Sequence, residues 1–132
     1  MGQNYWHENT SVSLINYHFV WIVRKRKRIL YGEMDARVQQ LIREAVIALE
    51  CEVIALETDQ DHVHLFIQSK PIYSPAQIMH KIKGSVSHQI RIEFPWVKEK
   101  LSSLWTRSYF CGTTGSVSGD TVKRYIEAQK IK

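Results

Sequence analysis

The stretch Asp61-His62-Val63-His64-Leu65-Phe66-Ile67 restricts more than any other what this chain can become. Val63, Leu65 and Ile67 recur at every second position, the period of a β-strand whose successive side chains point to opposite faces. Such a strand needs a core over its apolar face. His62 and His64 then share the other face with Phe66 and Gln68. Two imidazoles at i and i+2 on one sheet face are near enough to hold one metal ion. Taken alone, a His-x-His pair is more often two polar residues on a half-buried strand, so the rest of the chain has to decide.

The neighbouring segments build a sheet around that strand. Ser11 to Val23 reads as a long strand, with Ile15, Tyr17, Phe19, Trp21 and Val23 on an apolar face. Its other face, Leu14, Asn16, His18, Val20 and Ile22, is mixed, and His18 reads there as a structural histidine rather than a third metal ligand, in a place that could lie near the site. Glu33 to Glu50 has the helical spacing: Met34, Val38, Leu41, Ile42, Ala45 and Leu49 recur at three and four, and acidic Glu33 and Asp35 suit its N-terminal end. Cys51 to Thr58 alternates as a strand, and Asp59-Gln60-Asp61 is a tight turn into the histidine strand. Ser74-Pro75-Ala76-Gln77 starts a second helix, with Ser74 as cap, Pro75 at the first position and Gln77 closing a capping box. Ile78, Ile82, Val86 and Ile90 give it an apolar stripe, and Phe94-Pro95 ends it. Lys98 to Leu104 reads as a polar connection, and Trp105 to Cys111 as the last strand.

The order strand–helix–strand–strand–helix–strand predicts an α+β domain, a ferredoxin-like or RRM-like antiparallel sheet with helices on one face. A C-terminal helix follows on a glycine-containing linker. The expected organisation is one domain over 1–132: an arm at 1–10, a core at 11–111, a linker at 112–117 punctuated by glycine, and a helix at 118–132. Val117 before the Ser118 cap and Val122 after it form a hydrophobic staple. No internal repeat or low-complexity segment interrupts this plan.

Charge points to a polyanion. The 132 residues carry 18 Lys and Arg against 13 Asp and Glu, a net +5, which favours a nucleic-acid partner. Arg24-Lys25-Arg26-Lys27-Arg28 leaves directly from the first strand, where a phosphate backbone can lie against it. Lys81, Lys83 and Arg107 are further candidate DNA contacts. Cys51 and Cys111 lack metal-site spacing and read as reduced core residues. The N-terminus is no signal peptide, and no apolar run approaches the ~20 residues of a membrane helix, so a cytoplasmic protein without membrane association is expected.

Tyr125 and Gln129 lie one turn apart on the final helix. A phenol that breaks a phosphodiester bond must reach phosphorus, lose its proton and see the leaving oxygen stabilised. A divalent ion supplies the electrostatic part. Two neutral imidazoles and the neutral amide oxygen of Gln129 would leave its charge uncancelled. Mg²⁺ or Mn²⁺ is the expected occupant, Mn²⁺ accepting imidazole more readily.

His62-Val63-His64 resembles the histidine–hydrophobic–histidine motif of the HUH endonucleases. Val122-Lys123-Arg124-Tyr125-Ile126-Glu127-Ala128-Gln129 resembles the single-tyrosine helix of the IS200/IS605-family transposases. Tyr17-His18-Phe19-Val20-Trp21 before the basic run, and Arg107-Ser108-Tyr109-Phe110 before the linker, are similar to that family too. The resemblance implies a transposase that cleaves and rejoins single-stranded DNA near hairpin ends through a 5′-phosphotyrosine. By that likeness Tyr125 is the nucleophile and His62, His64 and Gln129 are metal ligands. The family also implies a homodimer in which each tyrosine helix completes the partner's histidine site. The alternatives are a domesticated hairpin-nicking or hairpin-binding relative, and a non-catalytic RRM-like module. The latter lacks an RNP1-like Gly-Phe-x-Phe strand here.

Overall fold

A computed structural model of the chain describes residues 14–113 and 126–127. Strands β1 (Ile15–Ile22), β2 (Glu52–Asp59), β3 (His62–Ser69) and β4 (Phe110–Thr113) form one sheet in the order β2-β3-β1-β4. Every pairing is antiparallel. Helices α1 (Gly32–Ala48) and α2 (Pro75–Glu93) connect the strands, with a short α3 (Pro95–Lys100) after them. This is the ferredoxin-like arrangement expected from the element order.

The period-two pattern sets the core. Phe19, Trp21, Val63, Leu65 and Ile67 are fully buried and join Val38 and Ile42 of α1 and Ile78, Ile82, Val86 and Ile90 of α2 in one cluster. The helices therefore cover one face of the sheet. Val20 and Ile22 are buried as well, but lie outside that cluster, on the opposite face. Both cysteines are free thiols, Cys51 buried and Cys111 half-buried.

Three segments differ from the sequence expectation. Pro95 to Lys100 is helical, because Pro95 starts a turn whose Val97 is fully buried and whose following Leu101 and Leu104 are also in the core. Trp105 makes only an isolated bridge to Val23, and the last strand runs from Phe110 to Thr113, past the expected boundary at Cys111. The reason is Lys83. Its ammonium donates to the carbonyls of Thr106, Arg107 and Ser108 at 2.8, 3.3 and 3.1 Å, so those carbonyls bond to α2 while the Thr106 amide keeps a bond to the Ile22 carbonyl at 3.1 Å. Gly112 and Thr113, expected in the linker, pair with His18 and Tyr17.

The start of α2 is built as its sequence suggests. Ser74 Oγ accepts from the Gln77 amide at 3.1 Å, and Gln77 Oε1 accepts from the Ser74 amide at 2.8 Å. Ser74→Ala should cost about 1 kcal/mol of folding free energy, read as a lower urea midpoint with an unchanged denaturant slope. An unshifted midpoint would mean that the box is redundant with the packing of Ile78.

Candidate active site

The two histidines reach one face through strand geometry. β3 is central, between β1 and β2, so its register against both neighbours is pinned. His64 lies opposite Val20 and Glu57, and His62 opposite Ile22 and Asp59. The rings of His62 and His64 sit 5.0 Å apart, tilted by 71°, on the face away from the helices. Both are half-buried, with buried Val20 and Ile22 beside them.

Each ring already has a partner on Nδ1. The His62 Nδ1 lies 2.7 Å from Asp61 Oδ1. The His64 Nδ1 lies 3.3 Å from Nε2 of His18, which is itself buried and stacked on Phe66 with ring centroids 4.0 Å apart. A carboxylate only accepts, so His62 keeps its proton on Nδ1 and its lone pair on Nε2. His64 does the same in the tautomer in which His18 Nε2 is the acceptor. Two Nε2 lone pairs on one face are a donor set that fits a divalent ion. Among the described residues no group of three or more His, Cys, Asp and Glu side chains is placed to hold a metal. The pair thus presents two nitrogens and needs oxygen ligands from elsewhere.

The electrostatics keep this face ready for a cation. Burial, then repulsion from His62 and His18, brings His64 from its ordinary 6.5 down to about 4. Burial likewise lowers His18. Burial pushes the Asp61 carboxyl up, but hydrogen bonds from His62 and Arg26 outweigh it and hold it below the usual range. Between pH 6.5 and about 4 the unfolded chain binds a proton at His64 that the folded one refuses, so this group's contribution to stability falls as pH falls through that window. The limit is about 3 kcal/mol, less after solvent screening of a half-exposed ring. Melting temperatures of the metal-free protein between pH 7 and 4.5 should fall less steeply for His64→Gln than for wild type. Parallel slopes would show that His64 does not titrate abnormally.

The cationic candidates divide. Lys25, Lys27 and Arg28 are exposed. Arg24 is half-buried, with its Nε enclosed. Arg26 turns inward, its Nε 3.0 Å from Asp61 Oδ2. Lys81 and Arg107 are exposed. Lys83, expected at a DNA phosphate, instead spends its ammonium protons on three backbone carbonyls, and burial lowers it to about 8. Next to it, His80, Arg107 and Tyr109 help line a cavity of about 300 Å³ on the helical side. The sequence marks Asp61 only as a turn residue. The signal that could have found it is its position directly before His62 in a two-residue turn. Tyr125 and Gln129, with the linker beyond Thr113, lie outside the described residues; Ile126 and Glu127 between them are helical.

An antiparallel sheet of this order, with a histidine–valine–histidine pair on the face opposite its helices, fits the HUH class of nucleic-acid-processing domains. The family described as "Transposase IS200 like" matches residues 11–129, and the chain belongs to that family. The ISDra2 transposase TnpA of Deinococcus radiodurans is 30% identical over 120 residues, covering 89% of this chain and 86% of its own. The transposase for insertion sequence element IS200 of Salmonella typhimurium is 26% identical over 120 residues, covering 87% and 79%. Among solved structures, a Deinococcus radiodurans R1 protein assigned as a transposase superposes with a TM-score of 0.89 at 24% identity, over 96% of this chain and 99% of that one. A REP-associated tyrosine transposase bound to a REP hairpin superposes with a TM-score of 0.58 at 13% identity, over 97% and 68%. At those identities the two structural likenesses speak for the fold.

Proposed function

We propose that this transposase cuts and rejoins single-stranded DNA near the hairpin ends of an insertion sequence, with Tyr125 as nucleophile. The observation that supports the reading most directly is the pair His62 and His64 on one face, rings 5.0 Å apart, each with Nδ1 already engaged. In the reaction the Tyr125 phenolic oxygen forms a bond to phosphorus and the bond from phosphorus to the 3′-oxygen breaks. The phenolic proton leaves to solvent, and the 3′-oxygen takes up a proton to become a hydroxyl. The 5′-phosphotyrosine keeps the ester's free energy, so a 3′-hydroxyl of another strand end can reverse the step without a nucleotide cofactor.

His62, His64 and Gln129 would hold Mg²⁺ or Mn²⁺. When bound, that ion supplies electrostatic stabilisation of the charge developing on the phosphate. The exposed Lys25, Lys27, Arg28, Lys81 and Arg107 would carry the phosphate contacts, making affinity fall with salt. The hairpin bound to the REP-associated structural neighbour supports hairpin DNA as the partner. Gly115 and Gly119 stand between Thr113 and Tyr125 in the sequence. Such a connection suits a homodimer in which each tyrosine acts on the partner's histidine site.

The test uses hairpin-containing single strands from the DNA flanking the gene. Incubation with Mn²⁺ should give a covalent protein–DNA adduct on a denaturing gel, and EDTA should abolish it. No adduct with either Mn²⁺ or Mg²⁺ would sink the reading.

A further inference from the structure

The basic run enters the site from an unexpected side. It leaves β1 through a single 3-10 turn, Arg24–Arg26, in which Lys25 and Arg26 both adopt left-handed backbone angles, φ 58° and 52°. Neither is glycine, so the conformation costs free energy and persists only where its surroundings hold it. They do so at three points on the turn between β2 and β3. The Val23 amide donates to the Asp61 carbonyl, the Leu30 amide donates to the Gln60 carbonyl, each at 2.9 Å, and Arg26 Nε donates to Asp61 Oδ2 at 3.0 Å. Asp61 is 6% exposed. Its two carboxylate oxygens are divided, one to Arg26 and one to His62 Nδ1 at 2.7 Å.

We infer that Asp61 and Arg26 are positioning residues: Asp61 holds His62 in the tautomer that frees Nε2 toward the metal, and Arg26 holds Asp61. The inference rests on the metal reading of the histidine pair. A buried carboxylate with one oxygen unpaired could swing away from His62, and the guanidinium removes that freedom. It also neutralises the carboxylate, so the imidazole meets an acceptor whose lone pairs are aimed and whose charge is balanced. The strained turn is the means by which a residue from a cationic surface run is aimed inward. Arg26 thus takes a different part from Lys25, Lys27 and Arg28, and a DNA backbone lying on those three would press on the segment that orients the ligand.

The experiment reads the proton and the metal separately. In the metal-free wild-type protein, nitrogen-detected NMR of the His62 ring should show the proton on Nδ1, and Nε2 unprotonated. Finding the proton on Nε2 would overturn the inference without any variant. Asp61→Asn and Arg26→Ala should weaken Mn²⁺ binding, measured calorimetrically, by roughly 10- to 100-fold, while Arg26→Lys restores part of the loss. His62→Ala is the control. If it leaves Mn²⁺ affinity unchanged, the metal reading fails. If it abolishes binding while Asp61→Asn and Arg26→Ala bind like wild type, the positioning inference alone fails.

Discussion

Tyr125→Phe is expected to abolish covalent capture of hairpin DNA. The substitution removes one oxygen, the atom that forms the bond to phosphorus, and leaves the ring and its helix-forming tendency in place. No other group substitutes for it in making a phosphotyrosine, so the adduct should disappear and strand cleavage should fall by at least about 10³-fold. Hairpin binding, carried by surface cations, should be retained. The denaturing gel that detects the wild-type adduct checks this directly. An adduct of unchanged yield in Tyr125→Phe would place the nucleophile on another residue. Tyr17 lies in β1, opposite Ile67 of β3, and Tyr109 packs at the edge of the core. The exposed Tyr31 before α1 would then be the first to examine.

His62→Ala and His64→Ala form the second prediction. Each should lower Mn²⁺-dependent cleavage by roughly 10²- to 10³-fold, the scale of losing one source of preorganised charge stabilisation. The double substitution should fall little further, because one ion needs both nitrogens and the two losses are not independent. The fold should survive, since neither ring belongs to the core cluster on the helical side. His64→Ala deprives buried His18 of the nitrogen 3.3 Å away and His62→Ala deprives buried Asp61 of its partner at 2.7 Å, so each should also cost some stability. Single-turnover cleavage across a Mn²⁺ titration separates lost affinity from lost rate. Losses that simply multiply in the double variant would mean that the histidines act separately rather than on a shared ion.

Much of the sheet was legible from spacing alone. Alternation in His62–Gln68 and in Ile15–Val23 declares one buried face, and burial of Val63, Leu65, Ile67, Phe19 and Trp21 follows. The capping box at Ser74 is a local signal and forms locally. The segment from Pro95 to Phe110 is not legible from local pattern because its conformation depends on distant partners. Val97 and Leu101 are drawn into a core made by other elements. The carbonyls of 106–108 are claimed by Lys83, more than twenty residues away in sequence.

The same division runs through the candidate site. Sequence by itself determined that His62 and His64 share a face, because a strand repeats every two residues whatever surrounds it. It also determined that the chain is cationic and that a short strand–helix pattern must close into one antiparallel sheet. Only the tertiary structure decided which neighbours those imidazoles acquire: His18 across the ladder, and Asp61 locked by Arg26. Periodicity is a property of backbone geometry and can be read from order along the chain. Which nitrogen keeps its proton depends on how the group beside each ring comes to be oriented, the Asp61 carboxylate for His62 and the His18 ring of β1 for His64, and that is settled only when turns and strands are packed.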